Sequence, residues 1–460
     1  MRSILFFAAV ACLAVPAVAG DAHTAAALRD RALADSTAWN VLESLTTVIG
    51  PRPAGSPAAL RARDWALAKL RALGFADVHA EPFAKPSWAR GEESAEVVSP
   101  YPQKLAVIGL GGSVPTPPQG IEAPIVVLKS YAAVLAAPAR AFKGRIVVVN
   151  QPMVRTKDES GYEKAVAARY GASEAAKRGA VAYLVRSIST GNTRAPHTGS
   201  GTYGPNKAKI PEAALGVPDA DLLEQMAARG PVRLRLKLAS FTRSNSMAWN
   251  VSGEIAGSAR PDQVIVIGGH LDSWDPGTGA IDDGAGVAMA TAAARLIGRL
   301  PRHPRRTIRV VLWGSEETGG SGDAYLAAHK GELANIVAAG ESDLGADRVY
   351  RLKLPQGALG RRALKPLAAV LAPLKVVVSP RPPEHAGSDV EGLQKAGVPV
   401  FSLDQDASRY FDVHHSADDT LAVVDRAQLN QNVAAWAALV YLIADSDVDF
   451  RAKKALKSAL

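Results

Sequence analysis

The sequence has almost no cysteine: of its 460 residues, only Cys12 carries a thiol. Cys12 lies in a mostly apolar stretch, Ile4 to Val15, which follows Arg2 and precedes Ala17-Val18-Ala19. A positive residue, an apolar stretch and a small-x-small tripeptide in this order are typical of a signal peptide, which we assign to residues 1–19. A chain cleaved after Ala19 has no thiol and forms no disulfide, so its stability must come from its core.

Long apolar runs are also scarce. The apolar stretch near the start is too short to span a membrane, and no later stretch is apolar over a full span without charges or helix breakers. We therefore expect an exported protein, periplasmic or secreted, without stable membrane insertion. The alternative is a lipoprotein anchored through Cys12 after Ala9-Val10-Ala11. The preceding segment is short and lacks a leucine at the expected place, which argues against a lipid anchor.

A concentrated basic surface is missing as well, although the formal net charge is +9. Lysine and arginine are dispersed in small clusters such as Arg302-His303-Pro304-Arg305-Arg306, and they do not alternate with aromatic residues. This pattern predicts no nucleic-acid partner. The sequence also contains no Gly-x-x-x-x-Gly-Lys-Ser/Thr run, which disfavours an enzyme that binds phosphates or nucleotides.

Apolar residues, by contrast, are plentiful: 48% of the residues are hydrophobic and 21% are charged, as in ordinary globular proteins. A breaker cluster, Pro115-Thr116-Pro117-Pro118, marks a boundary, and a run of short predicted strands follows it. We predict a main domain in two parts, residues 20–114 and 241–460, with a β-rich module inserted between them at residues 115–240.

Helical periodicity predicts helices over residues 24–48 and 58–73 of the first part. In the inserted module, short strands are predicted to surround an alanine-rich helix that runs from Tyr162 to Arg178. The module has one clear imidazole, His197. We interpret His197 as a hydrogen-bonding loop residue and not as a metal ligand.

The last part of the chain alternates apolar strands with helices, the strands being predicted at residues 263–269, 306–313, 335–340, 375–378 and 398–403. This alternation predicts an α/β fold with a mixed, mainly parallel central sheet and helices on both faces. In such folds, ligands bind beyond the carboxyl ends of the strands. His270, Glu316, Glu317 and Asp343 all follow directly after predicted strands.

Imidazole and carboxylate groups in these positions are the ligand chemistry of zinc. Two zinc ions that share a carboxylate need about five protein ligands, and the chain supplies His270, Asp282, Glu317, Asp343 and His415. Each signal is weak alone, because an Asp pair is usually solvated and a Glu pair often begins a helix. The prediction of a zinc site therefore depends on the order of these residues along the chain and on their sequence context.

With these motifs in place, the sequence resembles the co-catalytic dizinc peptidase family of aminopeptidases and glutamate carboxypeptidases, and within it the carboxypeptidase Q (plasma glutamate carboxypeptidase) group. The resemblance covers nearly all of the mature chain. Besides the site residues, it includes Gly50-Pro51-Arg52, Trp88-Ala89-Arg90-Gly91-Glu92-Glu93-Ser94-Ala95, Asn150-Gln151-Pro152, Glu174-Ala175-Ala176-Lys177, Pro196-His197-Thr198-Gly199 and Ala396-Gly397-Val398-Pro399.

The resemblance implies two zinc ions per chain, with roles for all five ligands. His270 and Asp343 are expected to bind one ion, Glu317 and His415 the other, and Asp282 is expected to bridge them. His415 is preferred over its neighbour because the family places this ligand four residues before the Asp of an Asp-Thr pair, here the pair at positions 419–420.

Three further roles follow from the same resemblance. Glu316 is expected to be the general base that takes a proton from a zinc-activated water and passes it to the leaving amine. Asp272 is expected to orient a ligand imidazole, as such outer carboxylates do. The peptide bond that precedes Asp283 is expected to be cis.

The resemblance implies an exopeptidase that acts on dipeptides or other short peptides, with the inserted module as a protease-associated domain that partly covers the cleft. It also implies a homodimer, because related enzymes are often dimeric. The sequence leaves open which end of the substrate is bound. An aminopeptidase of broader range is one alternative, and a non-catalytic binding protein on the same fold is another, although the complete set of ligands and Glu316 disfavours the latter.

Overall fold

The structure, a computed structural model, describes residues 21–201, 203 and 208–451. The predicted signal peptide and Cys12 lie outside the described residues. The β-strands are β1 (Ala76–Ala84), β2 (Ser87–Ser99), β3 (Gln103–Leu105), β4 (Val107–Gly109), β5 (Ile121–Leu128), β6 (Ile146–Val149), β7 (Ala182–Arg186), β8 (Glu212–Leu215), β9 (Arg233–Arg243), β10 (Met247–Ile255), β11 (Arg260–His270), β12 (Arg306–Trp313), β13 (Ile336–Glu341), β14 (Val349–Lys353), β15 (Val377–Val378) and β16 (Ser402–Gln405).

The α-helices are α1 (Ala22–Ala32), α2 (Thr37–Ser44), α3 (Pro57–Ala72), α4 (Tyr131–Ala136), α5 (Ser160–Ala165), α6 (Ala172–Lys177), α7 (Val217–Ala227), α8 (Ala285–Gly298), α9 (Ser321–Ala328), α10 (Leu367–Leu371), α11 (Glu391–Lys395), α12 (Tyr410–Val413) and α13 (Arg426–Ala444). Among the helices in the described part of the chain, none is both long and apolar enough to cross a membrane.

A five-stranded sheet in the order β1-β10-β12-β11-β13 forms the centre of the main domain. β11 runs parallel to both of its neighbours, β12 and β13, whereas β10 is antiparallel to β1 and β12. The α/β fold and the mixed sheet are thus confirmed, but the expectation of a mainly parallel sheet is wrong, because two of its four strand pairings are antiparallel. The parallel half lies where the site residues were expected. The carboxyl ends of β11, β12 and β13 meet at one edge.

Alternation along the strands places apolar side chains on both faces of this sheet. Ile265 and Ile267 of β11 face a core that includes α8 and α13, whereas Val264 and Val266 face a second core with α9 and α11. The sequence of a strand that is buried on both faces is a nearly continuous apolar run. This is why β11 and β12 could be predicted from the sequence. A three-stranded sheet, β15-β14-β16, extends the domain.

A separate eight-stranded sheet, in the order β3-β2-β9-β5-β6-β7-β8-β4, lies between the two parts of the main domain in sequence. We call residues 87–243 the inserted segment. The first and last strands of this segment pair along their lengths, from Ser87 with Arg243 to Ser99 with Arg233. The sheet therefore begins at Ser87, well before the boundary expected at residue 115, because β2 is too rich in charged residues to be recognised as a full strand.

Two predicted helices are wrong as single elements. The helix expected over residues 24–48 is α1 and α2 with a break between them, where the Asp35 side chain accepts a hydrogen bond from the backbone N–H of Thr37 at 2.7 Å and so begins a new helix. The helix expected from Tyr162 to Arg178 is α5, a 3₁₀ turn and α6, with a non-helical backbone at Tyr170.

Two predicted strands are shorter or displaced. The strand expected at residues 375–378 is reduced to β15, and the one at 398–403 starts only at Ser402, because Val400 instead makes an isolated parallel bridge to Ala339 of β13. β10 and β14 were not predicted. β14 carries Arg351 and Lys353 between its apolar residues, and this mixture hides it from a search for apolar runs.

Candidate metal centre

The parallel edge of the central sheet brings together side chains from three strand ends. His270 is the last residue of β11, Glu316 and Glu317 follow the end of β12, and Asp343 follows the end of β13. Asp282 comes from the loop between β11 and α8, and His415 lies two residues beyond α12. The structure therefore places all five predicted ligands and Glu316 around one cleft.

One potential metal-binding group consists of His270, Asp282 and Asp343. The Nε2 atom of His270 lies 3.1 Å from Asp282 Oδ1 and 3.3 Å from Asp343 Oδ1. The His270 side chain is fully buried at the end of its strand. Three donor atoms thus converge on one point on the β11 side of the cleft.

The second group consists of Asp282, His414 and His415. His415 Nε2 lies 3.1 Å from Asp282 Oδ2 and 3.0 Å from Glu317 Oε2, whereas His414 Nε2 lies 3.4 Å from Asp282 Oδ2. The two imidazole rings are stacked, with centroids 3.5 Å apart. The left-handed backbone of His415, with φ of 62°, accompanies this arrangement, in which neighbouring side chains face the same cleft.

Asp282 is the link between the groups, because its Oδ1 atom belongs to the first and its Oδ2 atom to the second. The Oδ2 atom is buried and makes no hydrogen bond to any residue that the structure describes. A buried carboxylate oxygen in this state lacks the partner that its burial requires. A cation beside each oxygen supplies such partners.

The electrostatics of the cleft also fit a cation. Burial, together with the nearby Asp343, raises the pKa of Glu316 to about 7. Burial and Asp282 raise the pKa of Glu317 to the same value, and burial raises that of Asp343 to about 6. Carboxylates crowded in a buried site resist ionisation, and a divalent ion reverses that preference. The mixture of imidazole and carboxylate donors matches zinc.

Asp272 contacts both His270 and Glu316. Its backbone oxygen lies 3.1 Å from His270 Nδ1, closer than its carboxylate at 3.6 Å, and its Oδ1 atom accepts a hydrogen bond of 3.0 Å from the Glu316 backbone N–H. The imidazole orientation expected of the carboxylate therefore falls mainly to the carbonyl of the same residue. The carboxylate instead holds the turn that carries Glu316.

The peptide bond between Asp282 and Asp283 is cis, as the family resemblance implied. Asp283 accepts hydrogen bonds from the backbone N–H of His270 at 3.0 Å and of Gly286 at 2.9 Å. A Cβ atom on Gly269 would lie 2.5 Å from its carboxylate, which explains why glycine precedes His270. Asp283 thus joins the end of β11 to the start of α8.

Two positioning residues were not recognised from the sequence. Arg52 is fully buried and donates hydrogen bonds to backbone carbonyls of the loop around Asp282, including those of Leu271, Thr278 (2.6 Å) and Gly279 (2.9 Å). Asp419 accepts hydrogen bonds from the backbone N–H groups of Ala280 and Ile281. Both residues belong to motifs noted in the sequence, Gly50-Pro51-Arg52 and the Asp-Thr pair at positions 419–420. These motifs did not indicate that the two side chains hold the loop around Asp282.

The inserted segment forms part of the cleft, which has a volume of about 250 Å³. Ser200 donates a hydrogen bond of 2.9 Å from its hydroxyl to the backbone oxygen of Glu317, and the Thr198 N–H donates one of the same length to the backbone oxygen of His415. Tyr162 and Arg169 line the same cleft. The inserted segment is thus hydrogen-bonded to the loop that carries Glu317 and to the loop that carries His415.

Sequence comparison identifies the class. Residues 250–440 match Peptidase family M28. Carboxypeptidase Q from Bos taurus is 38% identical over 415 residues, which cover 90% of this chain and 86% of that protein. Similarity of this extent shows that the chain belongs to peptidase family M28, and with the two donor groups that share Asp282 it is a zinc-dependent metallopeptidase of the exopeptidase class with two zinc ions.

The particular relatives agree with the predicted resemblance to the carboxypeptidase Q group, which is confirmed. Carboxypeptidase Q from Homo sapiens is 38% identical over 419 residues, 90% of this chain and 86% of that protein. The crystal structure of a Peptidase M28 precursor from Shewanella amazonensis superposes with a TM-score of 0.91 at 41% identity, covering 94% of this chain and 98% of that chain. A zinc aminopeptidase from Bacillus subtilis, 20% identical with a TM-score of 0.64 over 88% and 94% of the two chains, shares the fold.

Proposed function

We propose that this protein is an exported exopeptidase that hydrolyses dipeptides or other short peptides, with Glu316 as its general base. The observation that supports the proposal best is the sharing of Asp282 between two donor groups, with Glu316 beside them and 4.0 Å from His270 Nε2. In this proposal, His270 and Asp343 hold one zinc ion, Glu317 and His415 hold the other, and Asp282 bridges them.

Zinc, when bound, supplies Lewis acidity that lowers the pKa of water and polarises the scissile carbonyl. The protein's own residues do the remaining work. Glu316 takes the proton of the attacking water and gives it to the leaving amine. Asp272 holds the Glu316 backbone in place.

Substrate length is proposed from the cleft. Its volume of about 250 Å³ is near the lower end of the range for small-molecule pockets, and the inserted segment closes one side. We infer that this segment is a protease-associated domain that limits substrates to short peptides. The proposal of export is based on the signal peptide predicted at residues 1–19, and a homodimer is the expected assembly.

An aminopeptidase of broader range is the second candidate. An adjoining pocket of about 300 Å³ is lined by several acidic side chains from both parts of the molecule, among them Asp158, Glu159, Glu163 and Glu384. Such an acidic pocket suits a free amino group. A non-catalytic binding protein is disfavoured, because binding alone requires neither the full set of donors nor a carboxylate in the position of Glu316.

The proposal is tested with a library of dipeptides together with N-blocked and C-amidated versions of each, assayed with and without a zinc chelator. We expect rapid hydrolysis of the unblocked dipeptides, which the chelator abolishes and added zinc restores. Equal rates on internally cleaved long peptides would refute exopeptidase action. Activity that survives complete chelation would refute the role given to the two donor groups.

A further inference from the structure

Both ligands proposed for one of the zinc ions, Glu317 and His415, are contacted by a short stretch of the inserted segment. We call this stretch, residues 196–200, the contact strip. The Thr198 N–H donates a hydrogen bond of 2.9 Å to the His415 backbone oxygen, and the Thr198 carbonyl oxygen lies 3.4 Å from His415 Nδ1. Ser200 donates from its hydroxyl to the Glu317 backbone oxygen at 2.9 Å. The contact strip therefore touches the loops of both ligands.

The contact at Nδ1 is the one expected around a metal-binding histidine. The other ring nitrogen of His415, Nε2, faces Asp282 and Glu317, so it is the atom available to a metal ion. Such a histidine almost always gives its remaining ring N–H to a carbonyl, a carboxylate or a water, which fixes the tautomer and the orientation of the ring. The carbonyl beside His415 belongs to Thr198 and hence to the inserted segment.

Trp274 reaches the same two ligands from the main domain. Its backbone N–H donates a hydrogen bond of 3.2 Å to Glu317 Oε1, and its indole meets the His415 ring with centroids 5.8 Å apart. The indole is covered by Gly111 of the inserted segment, where an added Cβ atom would lie 2.1 Å from Cη2 of the ring. Gly111 also donates from its N–H to the Gly199 backbone oxygen at 3.0 Å. Gly111 and the contact strip thus form one surface against both ligands.

The contact strip is held in place by buried hydrogen bonds. Thr198 is fully buried, and its hydroxyl donates to the Gly109 backbone oxygen at 2.9 Å and accepts from Arg90 at 3.1 Å. The same Arg90 guanidinium forms a two-point ion pair with Asp275, the residue after Trp274, through hydrogen bonds of 2.8 and 3.0 Å. A pair of this kind fixes orientation as well as distance. Arg90 therefore ties the strip to the loop that carries Trp274.

The ligands proposed for the other zinc ion are held differently. His270 Nδ1 lies 3.1 Å from the backbone oxygen of Asp272, and the His270 N–H donates to Asp283 at 3.0 Å. All of these residues belong to the main domain. Within the part of the chain that the structure describes, no hydrogen bond or ion pair joins His270 or Asp343 to the inserted segment. The two proposed zinc sites thus differ in their dependence on that segment.

We propose that the inserted segment positions the ligands of one zinc ion and not those of the other. Its contact strip and Gly111 hold Glu317 and His415 in a geometry that is ready to bind zinc. Disturbing this surface should therefore weaken the ion at Glu317 and His415, because outer partners of metal ligands set metal affinity. The inference rests on the ligand pairs of the proposed function, and it concerns zinc affinity and not peptide hydrolysis.

The test measures the affinity for each zinc ion directly. The zinc-loaded protein is equilibrated with chelator buffers of graded free zinc, and the zinc bound per chain is counted by elemental analysis. The variant Gly111→Ala places a methyl group against Trp274 and displaces the indole. We expect one of the two dissociation constants to rise by about 10- to 100-fold, the usual cost of losing an outer partner of a ligand, while the other keeps its wild-type value.

Two milder variants address the contact strip itself. Ser200→Ala removes one neutral hydrogen bond to the Glu317 backbone and should raise the same dissociation constant by about 2- to 10-fold. Thr198→Val keeps the shape of the side chain but loses both contacts of its hydroxyl, and we expect a rise of at least that size. The matched control for the glycine variant is Gly331→Ala, where the added Cβ would meet no described atom within 4 Å. Both constants should stay unchanged in this control.

Ligand variants identify the ion that is weakened. His415→Ala removes the site beside the contact strip, so adding Gly111→Ala should cause no further loss of the ion that remains. His270→Ala removes the other site, and in that background Gly111→Ala should show its full effect. The two double variants therefore assign the change in affinity to one site.

Several results would overturn the inference. Equal weakening of both ions would make the contact strip a general structural element, and unchanged constants in every folded variant would remove its role. A full effect of Gly111→Ala in the His415→Ala background would assign it to the wrong ion. If Gly111→Ala does not fold, Ser200→Ala and Thr198→Val decide the question. Peptide hydrolysis by the zinc-loaded wild type judges the proposed function separately: an inactive wild type with a selective loss of one ion would refute that function and keep this inference.

Discussion

The two walls of the cleft are built from opposite kinds of structure. On the main-domain wall, His270, Glu316 and Asp343 follow the ends of parallel strands. Their loops are held by the carboxylates of Asp272 and Asp283, which accept hydrogen bonds from backbone N–H groups, and by Arg52, which donates to backbone carbonyls. On the wall from the inserted segment, Arg169 comes from an irregular 3₁₀ turn. The first wall is acidic and suited to cations, whereas the second carries one arginine, one glutamate (Glu159) and the aromatic rings of Tyr162 and Tyr170. The difference suggests that the catalytic groups and the limit on substrate length belong to separate parts of the chain.

The largest expected effect removes the base from the acidic wall. Glu316→Gln should lower kcat by up to about 10⁴-fold, the upper range for general acid–base catalysis, because the amide cannot accept the proton of water. Zinc content by elemental analysis should stay at the wild-type value, since Glu316 is not proposed as a ligand. Near-normal turnover, or loss of zinc, would contradict the assignment of Glu316 as the base and Glu317 as a ligand.

The next effect concerns the residue shared by both donor groups. Asp282→Asn removes the charge that faces His270 on one side and His415 on the other. We expect fewer than two zinc ions per chain and an activity loss of at least about 100-fold, which is the cost of losing even an outer partner of a ligand. Full zinc content in the purified variant would show that Asp282 is not the bridge.

A smaller effect is expected at Asp272, which contacts both His270 and Glu316. Asp272→Asn should lower kcat/KM by about 10- to 100-fold, because the turn that carries Glu316 loses a charged acceptor. The structure puts the carbonyl of Asp272 on the imidazole, so zinc affinity should fall less than activity does. If the variant loses most of its zinc affinity while the zinc-bound fraction keeps normal turnover, the carboxylate of Asp272 would be assigned to His270 and not to the turn that carries Glu316.

The remaining effect lies in the inserted segment and concerns stability, not activity. Glu212 is fully buried, and neither of its oxygens has a hydrogen-bond partner among the described residues. Burial raises its pKa to about 8 from an ordinary value of 4.5. The folded state therefore holds the proton more tightly than the unfolded chain, and the free energy of unfolding should fall as the pH rises from about 4.5 to about 8.

Glu212→Gln should remove this pH dependence, because the amide stays neutral. Relative to the wild type, the variant should gain on the order of 2–4 kcal/mol between pH 5 and pH 8, measured as a Tm difference of a few degrees. Glu92→Gln, at an exposed position of the same segment, is the control and should show no such gain. An equal Tm for wild type and Glu212→Gln at both pH values would show that Glu212 is not protonated. The predicted gain would sharpen the comparison of the two parts of the molecule. Buried carboxylates would be neutralised by cations in the main domain and by a proton in the inserted segment.

The sequence was informative where chemistry follows directly after a buried strand. His270, Glu316 and Asp343 could be found because β11, β12 and β13 are apolar runs with a change to polar residues at their ends. Arg169 could not be found, since it stands in an alanine-rich stretch that resembles a helix and becomes part of the cleft only through the way the inserted segment packs. The same holds for Arg52, because the carbonyls of Leu271, Thr278 and Gly279 to which it donates lie more than two hundred residues away in sequence.

Boundaries were missed for a related reason. A long strand such as β2 carries charges on both faces, so its strand character depends on its pairing with β9 and not on its own pattern. Pairing between distant segments is set by the tertiary fold, which a local pattern does not contain. The seven proposed site residues therefore came from local signals and family resemblance, and the opposite wall came only from the structure.

The pairing of β1 with β10 bears on how the inserted segment could have been acquired in evolution. Ala84 and Met247 are direct partners, so the points at which the polypeptide leaves and re-enters the main domain stand one strand spacing apart, about 5 Å. A segment spliced in at this point leaves the host backbone where it was, and a two-residue hairpin turn suffices to close the gap. The two parts can thus exchange or diverge as modules, provided that residues in contact between them, such as Arg155 and Asp412, change together.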